Sequence, residues 1–222
     1  MLSVPISTGE IPFEVTGAGK PCYTWYKVVE DLKSSTPLVL LHWGPGSGHD
    51  YFLPLLDLAE YHGILLVMYD QLGCGKSTHL RERAGDDDFW TMDLFLHELD
   101  NLIDYLGIWS GFHVLGHSWG GMMAGVYAAR QPEDLQKVIL SSTPASMALF
   151  AAGTKRLSKQ LPQDTQDALG ECEREGDHKS EKWERASIEF YTRFICRLDP
   201  WPQELLEGFQ NLKDDSTVYN TM

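Results

Sequence analysis

Ser118 is fenced by glycines at 116, 120 and 121 in the run FHVLGHSWGGMMAGVYAARQ, residues 112–131. A serine hydroxyl so placed can attack a carbonyl carbon, provided that a base takes its proton and backbone N–H groups receive the negative charge. The GxSxG spacing alone is a weak signal, since chance gives roughly 0.1 such matches in a chain of this size. Context strengthens it. A strand-like apolar run precedes the serine and a helical pattern rich in small residues follows, which is the setting a nucleophile elbow requires. Glycines two residues to either side leave room for so sharp a turn. The helix beginning at Trp119 aims free N–H groups and its positive dipole end at the hydroxyl. Ser118 is thus the candidate nucleophile, and the Trp119 amide the first candidate oxyanion donor.

A second donor is expected from the loop HWGPGSGHDY, His42–Tyr51, which follows another apolar run. Other reactive side chains have plainer readings. Asp70 is placed to hydrogen-bond nearby loop amides, and His42 to brace its loop rather than transfer protons. GCGKS at 73–77 lacks the glycine that a phosphate loop needs where Asp70 stands, and HELDN around His97 lacks the second histidine of a zinc-protease helix. In GPGSG, His49 occupies the last glycine position of a dinucleotide fingerprint. Cys22, Cys74, Cys172 and Cys196 show neither close pairing nor zinc-type spacing, which suits free thiols in a reducing compartment.

The elements that must carry these residues follow from periodicity. PLVLLHW (37–43), ILLVMYD (64–70) and FHVLG (112–116) are near-continuous apolar runs, the pattern of parallel strands covered on both faces. YFLPLLDLAEYHG reads as a helix ending at Gly63. Residues 91–106 place Phe95, Leu99, Leu102, Ile103 and Leu106 on one helical face, with acidic residues opposite. A helix over 119–130 and a strand over 135–142 complete a strand–helix alternation that defines an α/β fold. Residues 11–30 read as an opening antiparallel hairpin around TGAGK. After Pro144 only amphipathic helical segments follow, broken at LPQD, EREGDHKS and LDPWPQ. The expected division is an α/β core over 1–145 and a helical cap over 146–222. Aromatic residues of the cap, Trp183, Phe190, Tyr191, Phe194 and Trp201, are read chiefly as core packing.

Composition sets the outer bounds. With 43% apolar and 23% charged residues the chain is an ordinary globular protein, and its net charge of −14 argues against nucleic-acid binding. The N-terminal stretch lacks a signal-peptide pattern and no apolar run approaches the ~18 residues needed to span a bilayer, so a cytoplasmic protein without a membrane partner is expected.

Three motifs in order, HWGPG after the first parallel strand, YDQLGCGKS after the next and GHSWGG at the elbow, resemble the prolyl iminopeptidase family of α/β-hydrolases, which includes the tricorn-interacting aminopeptidases. The segment DPWPQELLEGFQNLKDDSTVYNTM is similar to that family's cap. The resemblance implies an α/β-hydrolase fold, a mostly parallel sheet with a helical cap. It implies release of an N-terminal residue, often proline, from peptides or amides by acyl transfer to Ser118, with no metal or organic cofactor. His42, Gly44, Pro45 and Gly46 match the family's HGGPG loop, so the backbone around Trp43 and Gly44 is the implied second oxyanion donor. Trp43 replaces a glycine there, which requires it either to adopt an ordinary backbone conformation or to impair the hole.

A triad base is the missing part. In α/β-hydrolases the order is serine, acid, histidine, and the sole histidine after Ser118 is His178, within a charged stretch. No carboxylate stands in SSTPAS after the strand at 135–142. Family members continue past VYNTM, so the last strand–helix units are expected to be missing from this chain, leaving a sheet edge through which it could self-associate. An esterase or lactonase of the same fold, and a catalytically silent binding protein, are the alternative readings.

Overall fold

The computed structural model describes residues 4–222, so Met1–Ser3 of the N-terminal stretch read above lie outside the described residues. Six strands form one sheet: β1 (Ile6–Phe13), β2 (Cys22–Val29), β3 (Leu38–Leu41), β4 (Leu66–Tyr69), β5 (Phe112–His117) and β6 (Leu135–Ser141). Their order is β1-β2-β4-β3-β5-β6. β1 and β2 form the antiparallel hairpin, β2 pairs antiparallel with β4, and β4, β3, β5 and β6 run parallel.

The parallel centre is as apolar as its sequence requires. All residues of β3 and β4 are buried, and alternation sends them to opposite faces. Val39, Leu41, Val67 and Tyr69 meet Phe95, Leu99 and Leu102 of α2 (Met92–Leu106) and Met123 and Tyr127 of α3 (Trp119–Ala129). Leu38, Leu40, Leu66 and Met68 pack instead with Phe52 and with Ala59 of α1 (Leu56–His62). Each such side chain contributes about 1.5–3 kcal/mol when fully buried.

Local signals end the helices where expected. Thr91 caps α2 by accepting from the Leu94 N–H at 3.2 Å, and Gly107 closes it with a left-handed φ of 65°. Gly63 does the same for α1. The first half of that predicted helix differs: Asp50–Leu55, which contains Pro54, is a 3-10 turn. On α2 the acidic face is also less uniform than expected, because Glu98 points into the core and is buried.

The chain divides into two compact units, one comprising residues up to Thr143 together with Glu204–Met222, the other Pro144–Gln203. The second unit contains α4 (Met147–Ser158), α5 (Gln163–Glu175) and α6 (Glu181–Phe194). Two further helices follow, α7 (Gln203–Asp214) and α8 (Thr217–Thr221). Residues 204–222, read above with the cap, cluster with the sheet-bearing unit: a helical pattern reports an apolar face, not the body it docks against. Among the described residues no helix is long and apolar enough to cross a membrane.

Candidate active site

Ser118 occupies the corner between β5 and α3, with φ 53° and ψ −114°. A positive φ at a residue other than glycine costs on the order of 1–3 kcal/mol and persists only where the surroundings enforce it. Here they do. The Ser118 N–H donates to the Ser141 carbonyl at 3.0 Å, and its own carbonyl accepts from the N–H groups of Gly121 and Met122 at 3.0 and 3.1 Å.

Three glycines make the corner possible. A Cβ on Gly116 would overlap the Gly120 carbonyl, one on Gly120 would overlap the Leu41 carbonyl, and one on Gly121 would overlap the Thr143 hydroxyl. The Ser118 side chain is half-buried. Among the described residues its hydroxyl has no hydrogen-bond partner, and the Trp119 amide, first of α3, is spent on no protein acceptor.

The loop after β3 faces the question that Trp43 raised. Trp43 is absent from the positive-φ residues, whereas Gly44, Gly46 and Gly48 have φ of 131°, 105° and 126°. The indole packs edge-on to Tyr51 and Phe209, with ring centroids 5.9 and 5.2 Å apart. Its amide is not free: it donates to the Tyr51 hydroxyl at 2.7 Å. The amide of Gly44, next in the chain, is unspent among the described residues. The open backbone donors are therefore those of Gly44 and Trp119.

His42 is buried and braces this loop. Its Nε2 lies 3.0 Å from the Gln71 N–H, which can only donate, so the ring proton resides on Nδ1 and is donated to the Trp43 carbonyl at 2.7 Å. Burial lowers its pKa, which keeps the ring neutral and suits that tautomer. Asp70, also buried, accepts from the amides of His49 and Lys76 at 2.7 and 2.9 Å and pairs with His49 Nδ1 at 2.8 Å. Burial acts to raise its pKa, but the bonds and charge from His49 and the Lys76 amide outweigh it and hold the carboxyl below its ordinary value. A Cβ on Gly75 would overlap this carboxylate, and one on Gly48 would lie 3.2 Å from it.

His49–Asp70 is thus a histidine–carboxylate pair, yet among the described residues neither member is hydrogen-bonded to Ser118. His117, adjacent in sequence, lies with its ring 5.5 Å from that of Tyr51, and burial lowers its pKa. His178 belongs to the 144–203 unit, where its ring packs on Trp183 at 4.6 Å. Two contributors escaped the sequence reading: Gln71 acts across 29 and 48 positions, and Tyr51 acts within an irregular loop that no periodicity describes. Two open clefts, one beside Phe13 and His97 and one beside Arg81 and Asn220, contain none of Ser118, Trp43, Gly44 or Trp119.

A strained serine at a strand–helix corner, on a parallel sheet, defines a class, and the chain belongs to the alpha/beta hydrolase fold family, whose model matches residues 36–219. Within that class the likeness is to proline iminopeptidases. The proline iminopeptidase of Lactobacillus delbrueckii subsp. bulgaricus is 39% identical over 178 residues, covering 80% of this chain and 59% of that protein. The crystal structure of the Mycobacterium smegmatis proline iminopeptidase superposes with a TM-score of 0.82 at 37% identity, over 97% of this chain and 70% of that one. The structure of VinJ does so with a TM-score of 0.90 at 43% identity, with the same coverage. The chain thus spans about three fifths of the length of the curated relatives it matches.

Proposed function

We propose that this chain carries the nucleophile and the oxyanion donors of a serine hydrolase of the proline iminopeptidase type. In this reading Ser118 Oγ attacks the carbonyl of an N-terminal residue in a small peptide or amide, forming a tetrahedral adduct. The N–H groups of Gly44 and Trp119 receive the oxyanion, with the Trp43 backbone holding the loop. A base beyond the described residues must take the Ser118 proton and pass it to the amine, which collapse expels to leave an acyl-serine that water then cleaves. The single observation that carries the reading is the strained Ser118 backbone, walled by glycines and followed by an unspent amide. The 39% identity to the Lactobacillus delbrueckii proline iminopeptidase and the TM-score of 0.82 with the Mycobacterium smegmatis one support it. Four free cysteines, three of them buried, fit a reducing, cytoplasmic setting.

No histidine among the described residues takes the Ser118 proton, so the hydroxyl stays protonated and poorly nucleophilic. The test is labelling of the 222-residue chain with a fluorophosphonate, with and without added imidazole as an external base. Slow labelling that imidazole accelerates, and that Ser118→Ala abolishes, supports the assignment. Equal labelling of Ser118→Ala overturns it, and no labelling under either condition favours the silent binding protein. Proline amides against simple aryl esters, run under the same conditions, separate a peptidase from an esterase or lactonase.

A further inference from the structure

We propose that Gln71 is a positioning residue that sets both oxyanion donors at once, one through its backbone and one through its side chain. The inference rests on the hydrolase reading and deepens it. Gln71 is fully buried in the loop after β4, between the Trp43–Gly44 loop and the elbow. Its backbone N–H donates to His42 Nε2 at 3.0 Å, and its side-chain Oε1 accepts from the Trp119 indole Nε1–H at 3.0 Å.

The first arm works through tautomer and peptide geometry. Because the Gln71 N–H occupies Nε2, His42 must carry its proton on Nδ1, and from there it donates to the Trp43 carbonyl at 2.7 Å. That carbonyl and the Gly44 N–H belong to one planar peptide unit, in which the two groups point in opposite directions. Holding the carbonyl therefore aims the Gly44 N–H. The neighbouring peptide is fixed as well, by the Trp43 amide bond to the Tyr51 hydroxyl.

The second arm works through the indole. Trp119 carries both the candidate donor amide and a ring whose N–H can only donate, so the atom of Gln71 that faces it is the amide oxygen. Reversing the amide would set two donors against each other. Among the described residues the buried Gln71 Nε2 has no partner. With its indole tied to Gln71 and packed edge-on to Phe95 at 5.9 Å, the first residue of α3 has little freedom to swing its amide away. A donor displaced by 1 Å loses much of its effect on the transition state.

The test compares the wild-type chain with Gln71→Met, Trp119→Phe, their double variant and His42→Leu. Amide and indole resonances are followed by 15N–1H correlation spectroscopy, and Ser118 phosphonylation is measured with imidazole present. Gln71→Met, which keeps the backbone N–H, is expected to leave the Gly44 amide in place, to shift the Trp119 backbone amide, to expose the Trp119 indole proton to faster exchange, and to slow phosphonylation about 10- to 100-fold. His42→Leu, which removes the acceptor of the Gln71 N–H, is expected to shift the Gly44 amide. Trp119→Phe is expected to slow it similarly, with no further loss in the double variant, because both break one bond. An unmoved Trp119 amide in Gln71→Met, an unmoved Gly44 amide in His42→Leu, or losses that multiply in the double variant, overturn the proposal. A wild-type chain that is not phosphonylated refutes the hydrolase reading alone, since the resonances then decide the positioning role. Should Gln71→Met not fold, Trp119→Phe supplies the same comparison from the other side of the bond.

Discussion

Glu98 is a carboxyl placed where α2 would otherwise bury hydrocarbon. It accepts from the Thr24 hydroxyl at 2.5 Å and from the Leu72 amide at 2.9 and 3.0 Å to its two oxygens. Burial nevertheless dominates and pushes its pKa up from 4.5 to about 8. Between those values the folded chain keeps a proton that the unfolded chain has released, so stability falls as pH rises through the window. This one group contributes up to about 1.4 kcal/mol per pH unit there. Below the window its favourable protonated form is fully retained, and above pH 8 that contribution is gone. Denaturant midpoints measured across the window should decline for the wild-type chain, and Glu98→Gln should remove this part of the slope. An unchanged slope in the variant would show that Glu98 ionises normally. The sequence placed Glu98 on the outer face because a 3.6-residue period leaves its angular position ambiguous, and only the Thr24 and Leu72 donors reveal which way it turns. Ser118 was legible for the opposite reason: its glycines are strictly local and their spacing is the geometry.

Asp215 shows how one carboxylate can seat a whole element. The nominal cap of α8, Ser216, accepts from Asn220 Nδ2 at 2.8 Å through its hydroxyl and makes no side-chain capping bond to the helix backbone. Asp215 supplies it instead, with Oδ1 accepting from the Thr217 N–H at 3.0 Å and Oδ2 lying 2.6 Å from His79 Nδ1 and 3.2 Å from Arg81 Nε. Burial opposes ionisation of Asp215, but the bonds from Thr217 and His79 prevail and its pKa is lowered. The seat is completed by Val218, which is fully buried in the main core. Asp215→Ala should therefore weaken α8 by about 1–3 kcal/mol. Hydrogen exchange at Asn220 and Met222, whose amides bond to Ser216 and Val218, should accelerate about 10- to 100-fold while the sheet amides are unaffected. Unaltered exchange would show that Val218 alone holds the helix. Strands β3, β4 and β5 and the breaks between α4, α5, α6 and α7 were readable from apolar runs and turn residues. The docking of residues 204–222 was not, since the His79–Asp215 contact joins residues 136 positions apart.

At the scale of the whole molecule, the described sheet ends at β6, an edge strand with Ile139 47% and Leu140 54% exposed. Unpaired backbone beside exposed apolar side chains is a template for association, while a net charge of −14 opposes it. Screening weakens that repulsion. Sedimentation of the 222-residue chain should therefore show self-association that grows from about 0.01 to 0.5 M salt and is reduced by Ile139→Lys. A monomer at every salt concentration would count against it. The elbow imposes a different condition on the chain. The obstacles that any Cβ at 116 or 120 would meet are main-chain carbonyls, which are present whatever residues surround them. No compensating substitution elsewhere can clear that space, so drift has no gradual route through these two positions. The Trp43 ring, by contrast, packs edge-on against the rings of Tyr51 and Phe209, contacts that paired substitutions can exchange while the reactive corner stays frozen.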